Sequence, residues 1–218
     1  EISLGLVGSE MCIRDSINTN PDSVTKVSPK LLATGAIVGL MKPSQKKDFV
    51  YNQMTCKYIG WSEALEGTQY NNFGRESFSG YTSLTNYKLM AELTDKDETM
   101  NEDKRNAYKG LALFLKAYRL FEYTLNVGDI PYEGILEGKE GNLTVAYNTQ
   151  EDVFKFLLND LDKAHEYFQN ANQTTFNGDP IFGGKVEQWH RVSNALELRV
   201  LINLSCLLYT SPSPRDRG

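Results

Sequence analysis

The segment NEDKRNAYKGLALFLKAYRLFEYTLN, residues 101–126, constrains the chain more than any other. Its apolar side chains Ala107, Leu111, Phe114, Tyr118, Phe121 and Leu125 recur at alternating steps of four and three. A strand needs a step of two; steps of four and three lay one apolar stripe along a helix. Glu102 and Asp103 near its start suit the positive end of a helix dipole. The helix ends at NVGDIPYEGILEG, where Gly128 and Pro131 oppose continuation; Asp129 is placed to cap the turn. A stripe of this length must be covered, and the rest of the chain offers other helices to cover it.

SPKLLATGAIVGLM carries Ser28 as an N-cap and Pro29 at the first helical position. KKDFVYNQMTCKYIGWSEAL places Phe49, Met54, Tyr58 and Trp61 at mixed helical spacing, and YTSLTNYKLMAEL sets Leu84, Tyr87 and Met90 or Ala91 on one side. TQED matches a capping box and opens a helix whose stripe is Val153, Leu157, Leu161, Ala164 and Phe168. VEQWHRVSNALELRVLINLS aligns Trp189, Val192, Leu196, Val200 and Leu204. Strand alternation is confined to short extended pieces in the connections. The expectation is an all-α fold, either a bundle or an array of helix pairs with long connecting loops. No clean 34-residue period occurs, so tetratricopeptide-like pairs would be degenerate.

The two ends read differently. One DNA element, read in one frame, encodes Leu6–Ser16; its complement, read in another, encodes Cys206 to Asp216. An inverted element of this kind matches a translated sequencing-library adapter. Residues 1–16 and 206–218 are therefore expected to be adapter-derived, and 17–205 to be a partial helical domain.

Composition narrows the function. The chain carries 28 acidic and 23 basic side chains, and 24 and 20 without the two ends. A mildly acidic chain without a lysine or arginine cluster argues against nucleic acid as a partner. Cys12 and Cys206 fall in the ends and leave Cys56 alone, so no internal disulfide or paired-cysteine metal site is expected. No apolar run is long enough to span a bilayer.

Chemistry-bearing residues are sparse. His165 and His190 are the only histidines, and neither has a His or Cys three or four residues on, the spacing a single helix needs for a metal. Glu63 and Glu66 are acids three apart on one helix, whereas a glycosidase pair must face each other across a cleft. There is no nucleophile elbow, P-loop or dinucleotide fingerprint. No catalytic residue, cofactor or metal is expected. The stretch between Trp61 and Tyr81 is richer: Tyr70, Phe73 and Phe78 lie among Gln69, Asn71, Asn72 and Arg75. Flat rings beside amide and guanidinium donors offer the stacking and directional hydrogen bonds that sugars and other small polar ligands require. Trp61, Tyr70, Asn72, Phe73, Arg75 and Tyr81 are the candidate ligand-binding residues.

KYIGWSEALEGTQYNNFGRESFSGY, YKGLALFLKAYRLFEYTLNVGDIPYEGILEG, YNTQEDVFKFLLNDLDKAHEYF and GDPIFGGKVEQWHRVSNALELRVLINLS, in that order, resemble the SusD/RagB family. The resemblance covers nearly all of residues 45–205. It implies a mostly helical, incomplete SusD-like fold of degenerate tetratricopeptide-like pairs. It further implies a non-catalytic, surface-exposed lipoprotein of the outer membrane in Bacteroidetes. Such a protein binds an oligosaccharide or peptide and partners a SusC-type TonB-dependent transporter. The signal peptide and lipidated cysteine are expected to belong to a start that this sequence lacks, and Cys56, inside a helical segment, is not their equivalent. The competing expectations are a helical scaffold that binds only protein, and a glycan-active hydrolase using Glu63, Glu66 or an acid missing from this sequence.

Overall fold

The computed structural model describes residues 27–41, 58, 78–138, 141, 144–171 and 173–208. Five α-helices lie among them: α1 (Pro29–Met41), α2 (Tyr81–Lys96), α3 (Glu102–Val127), α4 (Gln150–Asn170) and α5 (Val186–Leu208). A short 3-10 turn, Phe78–Gly80, leads into α2. The helix expected around residues 46–65 lies outside the described residues, Tyr58 apart, and Tyr58 is exposed. Among the described residues the only β pairing is two isolated antiparallel bridges, Ile130 with Asn148 and Thr175 with Lys185.

Neighbours in sequence are neighbours in space. α1 packs on α2, α2 on α3, α3 on α4 and α4 on α5, while α3 also touches α1 and α5. This central position corrects the expectation of a single stripe on α3. Tyr108, Ala112, Leu115, Ala117, Leu120 and Tyr123 are buried alongside Ala107, Leu111, Phe114 and Phe121. A helix touched from several sides buries most of its circumference. The stripe also fails at one end: Leu125 is exposed and Tyr118 only half-buried.

The other faces match their periodicity. Leu84, Tyr87 and Met90 of α2 are buried, as are Val153, Leu157, Leu161, Ala164 and Phe168 of α4. On α5, Trp189, Leu196 and Val200 are buried, with Val192 and Leu204 packed partly against the core. Trp189 meets Phe114 edge-on at 5.7 Å, and Phe121 meets Phe154 edge-on at 6.0 Å, tying α3 to both α5 and α4.

The connection between α3 and α4 shows why GDIPY and TQED occur together. Gly128 takes φ 83°, a conformation that suits glycine, and its N–H closes α3 onto Thr124 O. Asp129 does not cap its own turn: its Oδ1 accepts the backbone N–H of Gln150, 2.8 Å away at the start of α4. The Gln150 side chain in turn donates to Thr124 O at 2.7 Å. The end of one helix and the start of the next are thus stitched by side chains from both motifs. Thr149 caps α4 as expected, with Asp152 N donating to Thr149 Oγ1 at 3.2 Å, and the Asp152 carboxylate accepts the Thr149 hydroxyl at 2.7 Å. Thr149→Ala removes this cap and is expected to cost about 1 kcal/mol in chemical denaturation, with Thr149→Ser close to the parent.

Candidate functional site

The start of α2, the end of α3 and the loop after it bring an aromatic group together. Phe78 and Tyr123 stack with ring centres 5.6 Å apart, and Tyr81 lies 5.5 Å from Phe78 and 5.2 Å from Tyr123. Two backbone groups fix the rings. Tyr123 OH accepts the N–H of Gly80 at 2.9 Å, and Tyr81 OH donates to Pro131 O at 2.9 Å. A Cβ at Gly80 would run into the Tyr123 hydroxyl, so a larger residue here would have to displace that ring. Burial, then the nearby Tyr123 and Tyr147 hydroxyls, push the Tyr81 phenol far above its ordinary range, so it remains a neutral donor.

Exposure is graded across the group. Tyr123 is buried, Tyr81 half-buried, Phe78 37% exposed and Tyr147 63% exposed. Phe78 is thus partly open to solvent above a floor held by hydrogen bonds, and Tyr147, whose hydroxyl acts on the Tyr81 phenol, is exposed. Of the candidate ligand residues, Tyr81 lies in this group, although its hydroxyl is committed to Pro131. Trp61, Tyr70, Asn72, Phe73 and Arg75 lie outside the described residues, as do Cys56, Glu63 and Glu66. Tyr123 and Tyr147 were not legible as members: one sits in the long helix, the other in a polar connection far along the chain.

Two further polar clusters hold the frame. Asp160, 7% exposed on the apolar face of α4, takes Lys116 Nζ at 2.8 Å and Tyr132 OH at 2.5 Å. The Lys116 ammonium also lies 4.5 Å from the Tyr132 ring centre. Burial, then the Asp160 carboxylate, holds the Tyr132 hydroxyl well above its ordinary range. In GDPIFGGKVEQW the Asp179 carboxylate accepts four donors: the N–H groups of Ile181, Phe182 and Gly184 and the Trp189 indole.

A third cluster joins two helices, so spacing along either one alone does not reveal it. His190 Nε2 of α5 lies 2.7 Å from His165 Nδ1 of α4. Burial, then His165, lowers the His190 pKa below its ordinary value. Its neutral form is the one the fold favours, so this contribution to stability is complete above the unfolded value of about 6.5 and is lost as pH falls below it. Unfolding free energy measured against pH should decline below about 6.5, and His190→Gln should flatten that decline. An unchanged slope in the variant would remove the His pair as its cause.

The arrangement defines a class: an all-α array of packed helices with a half-open aromatic group at one end. Known proteins then place the chain. The SusD-like profile, described as starch-binding and associating with the outer membrane, matches residues 21–208. A SusD homolog from Bacteroides fragilis superposes with TM-score 0.72 at 42% identity, over 82% of this chain and 36% of that one. A second B. fragilis SusD homolog gives 0.68 at 30% identity, over 83% and 36%. A Bacteroides vulgatus protein assigned to the outer membrane and to nutrient binding gives 0.64 at 28%, over 82% and 36%. No curated protein sequence matches. The chain belongs to the SusD-like family, and it spans little more than a third of the length of these structures. Association with the outer membrane is a property of that family. Among the described residues no helix is long and apolar enough to cross a membrane.

Proposed function

We propose that this chain is the helical part of a surface-exposed nutrient binder that works without turnover alongside a SusC-type TonB-dependent transporter. A lipidated cysteine supplied by a leader would anchor it to the outer membrane. The observation that carries the binding role is the graded aromatic group. Phe78 and Tyr147 are exposed, while Tyr81 and Tyr123 hold the floor under Phe78 through hydrogen bonds to backbone. An oligosaccharide stacks its apolar face on such rings. Trp61, Tyr70, Asn72, Phe73 and Arg75 belong to the segment leading into Phe78 and are proposed as its further contacts. The family's description as starch-binding makes α-linked glucose oligomers the first ligands to try, and short peptides the alternative.

Isothermal titration with maltoheptaose is the test. Binding is expected, and Phe78→Ala or Tyr147→Ala should weaken it about tenfold, the worth of one stacked ring. Equal affinity in both variants would displace the site from this group. Binding of short peptides in place of the glycan would change the ligand class but keep the role. Release of new reducing ends during the titration would overturn the non-catalytic reading.

A further inference from the structure

His165 and His190 are the only two histidines in the chain, and the fold brings them from separate helices into contact. Their ring centres are 4.3 Å apart with planes inclined by 66°. Both rings are half-buried, with Phe168 beside His190 at 6.2 Å. The facing atoms are a δ nitrogen and an ε nitrogen, each able to offer a lone pair. We propose that His165 and His190 form a two-point chelate across the α4–α5 contact for a tetragonal divalent transition-metal ion, Cu(II) or Ni(II).

The separation puts both nitrogens within reach of one ion. An imidazole nitrogen sits about 2.0 Å from a bound divalent ion. Two neighbouring corners of a square around the ion are then about 2.8 Å apart, and two corners of a tetrahedron about 3.3 Å. The 2.7 Å contact is itself a hydrogen bond, so it brings the two nitrogens within reach of one ion rather than fixing a bite. Cu(II) is favoured over Zn(II) because imidazole sites bind it more tightly and because two ligands with open corners suit a tetragonal ion. In the metal-free contact one ring nitrogen donates its proton to the other. On chelation both rings remain neutral and reorient so that both lone pairs meet the ion. The ring that donated in the metal-free contact shifts its proton through solvent from the facing to the far nitrogen, so that each ring carries its single proton on the far side, Nε2 of His165 and Nδ1 of His190. No proton is released, and nothing is oxidised or reduced.

Among the described residues no set of three or more His, Cys, Asp or Glu converges on one point, so water fills the remaining corners. Asn194 Oδ1 lies 3.3 Å from His165 Nδ1. That position gives the proposal a gain-of-function arm, because Asn194→Asp would place a carboxylate beside the pair.

The test is titration of the metal-free chain with copper(II) sulfate and nickel(II) chloride, read by visible absorption and, for copper, electron paramagnetic resonance. One equivalent should bind with micromolar affinity, and copper should show hyperfine coupling to two nitrogens. His165→Gln and His190→Gln should each weaken uptake at least about tenfold, and Asn194→Asp should strengthen it. Circular dichroism establishes whether the glutamine variants fold. If either does not, the nitrogen count in the parent and the Asn194→Asp gain decide instead. Unchanged uptake in folded glutamine variants, coupling to fewer than two nitrogens, or no binding below millimolar metal would each overturn the proposal.

Discussion

Asp179→Ala should lower the unfolding free energy by about 3–4 kcal/mol, a fall of roughly 10 °C in melting temperature for a chain of this size. The reason lies in the number of donors that converge on one carboxylate. Ile181, Phe182 and Gly184 donate backbone N–H groups, and Trp189 donates its indole N–H at 2.8 Å. Gly184 sits at φ 80°, and a Cβ there would collide with the Phe176 carbonyl, so the loop is held in a shape few sequences can adopt. With the carboxylate gone, a 2% exposed indole is left with an unsatisfied donor next to Phe114 and Phe182. Asp179→Asn should recover part of the loss, since one amide oxygen still accepts. Near-ultraviolet circular dichroism should report the disturbance through Trp189. A melting temperature within a degree or two of the parent for the alanine variant would show that the loop is held by other means.

Asp160→Ala is expected to cost about 3 kcal/mol by a different route. Removing this acid strands the Lys116 ammonium, whose side chain is 20% exposed, and leaves the Tyr132 hydroxyl without its acceptor. Partial exposure of Lys116 keeps the cost below that of a fully buried pair. Asp160→Asn keeps an acceptor for Tyr132 and should cost less than the alanine variant. Replacing both ions, Asp160→Leu with Lys116→Met, should cost less than the sum of the single changes, because no charge is then left without its partner. Denaturant unfolding of the four proteins closes this cycle; strict additivity would mean that the pair contributes no coupling.

These two acids show where the sequence is and is not legible. The helices were readable because each buries a face that repeats with the helical period, as α4 does from Val153 to Phe168. α3 exceeded its pattern because periodicity reveals one face and says nothing of how many neighbours a helix has. Asp160 left a readable trace: it stands on the same face as Leu157, Leu161 and Ala164, a place where an acid needs a partner. Its partners lie on α3 and in the GDIPY loop, and no local pattern names them. Asp179 was visible only as part of a family motif, and its four donors became apparent once the loop was folded. The aromatic group was half legible. Phe78 and Tyr81 were flagged by clustering, whereas Tyr123 and Tyr147 reach the same place through the packing of α3 and the connection into α4. The histidine contact needs two helices side by side, which spacing along one helix does not reveal.

Hydrogen–deuterium exchange of the chain with and without saturating maltoheptaose tests the account most directly. Slowed exchange at residues 78–82 and 144–148, with residues 179–186 unchanged, is the result expected if the aromatic end holds the ligand and the GDPIFGG loop is structural. Protection centred on 179–186, or none at a ligand concentration where titration shows saturation, would contradict it.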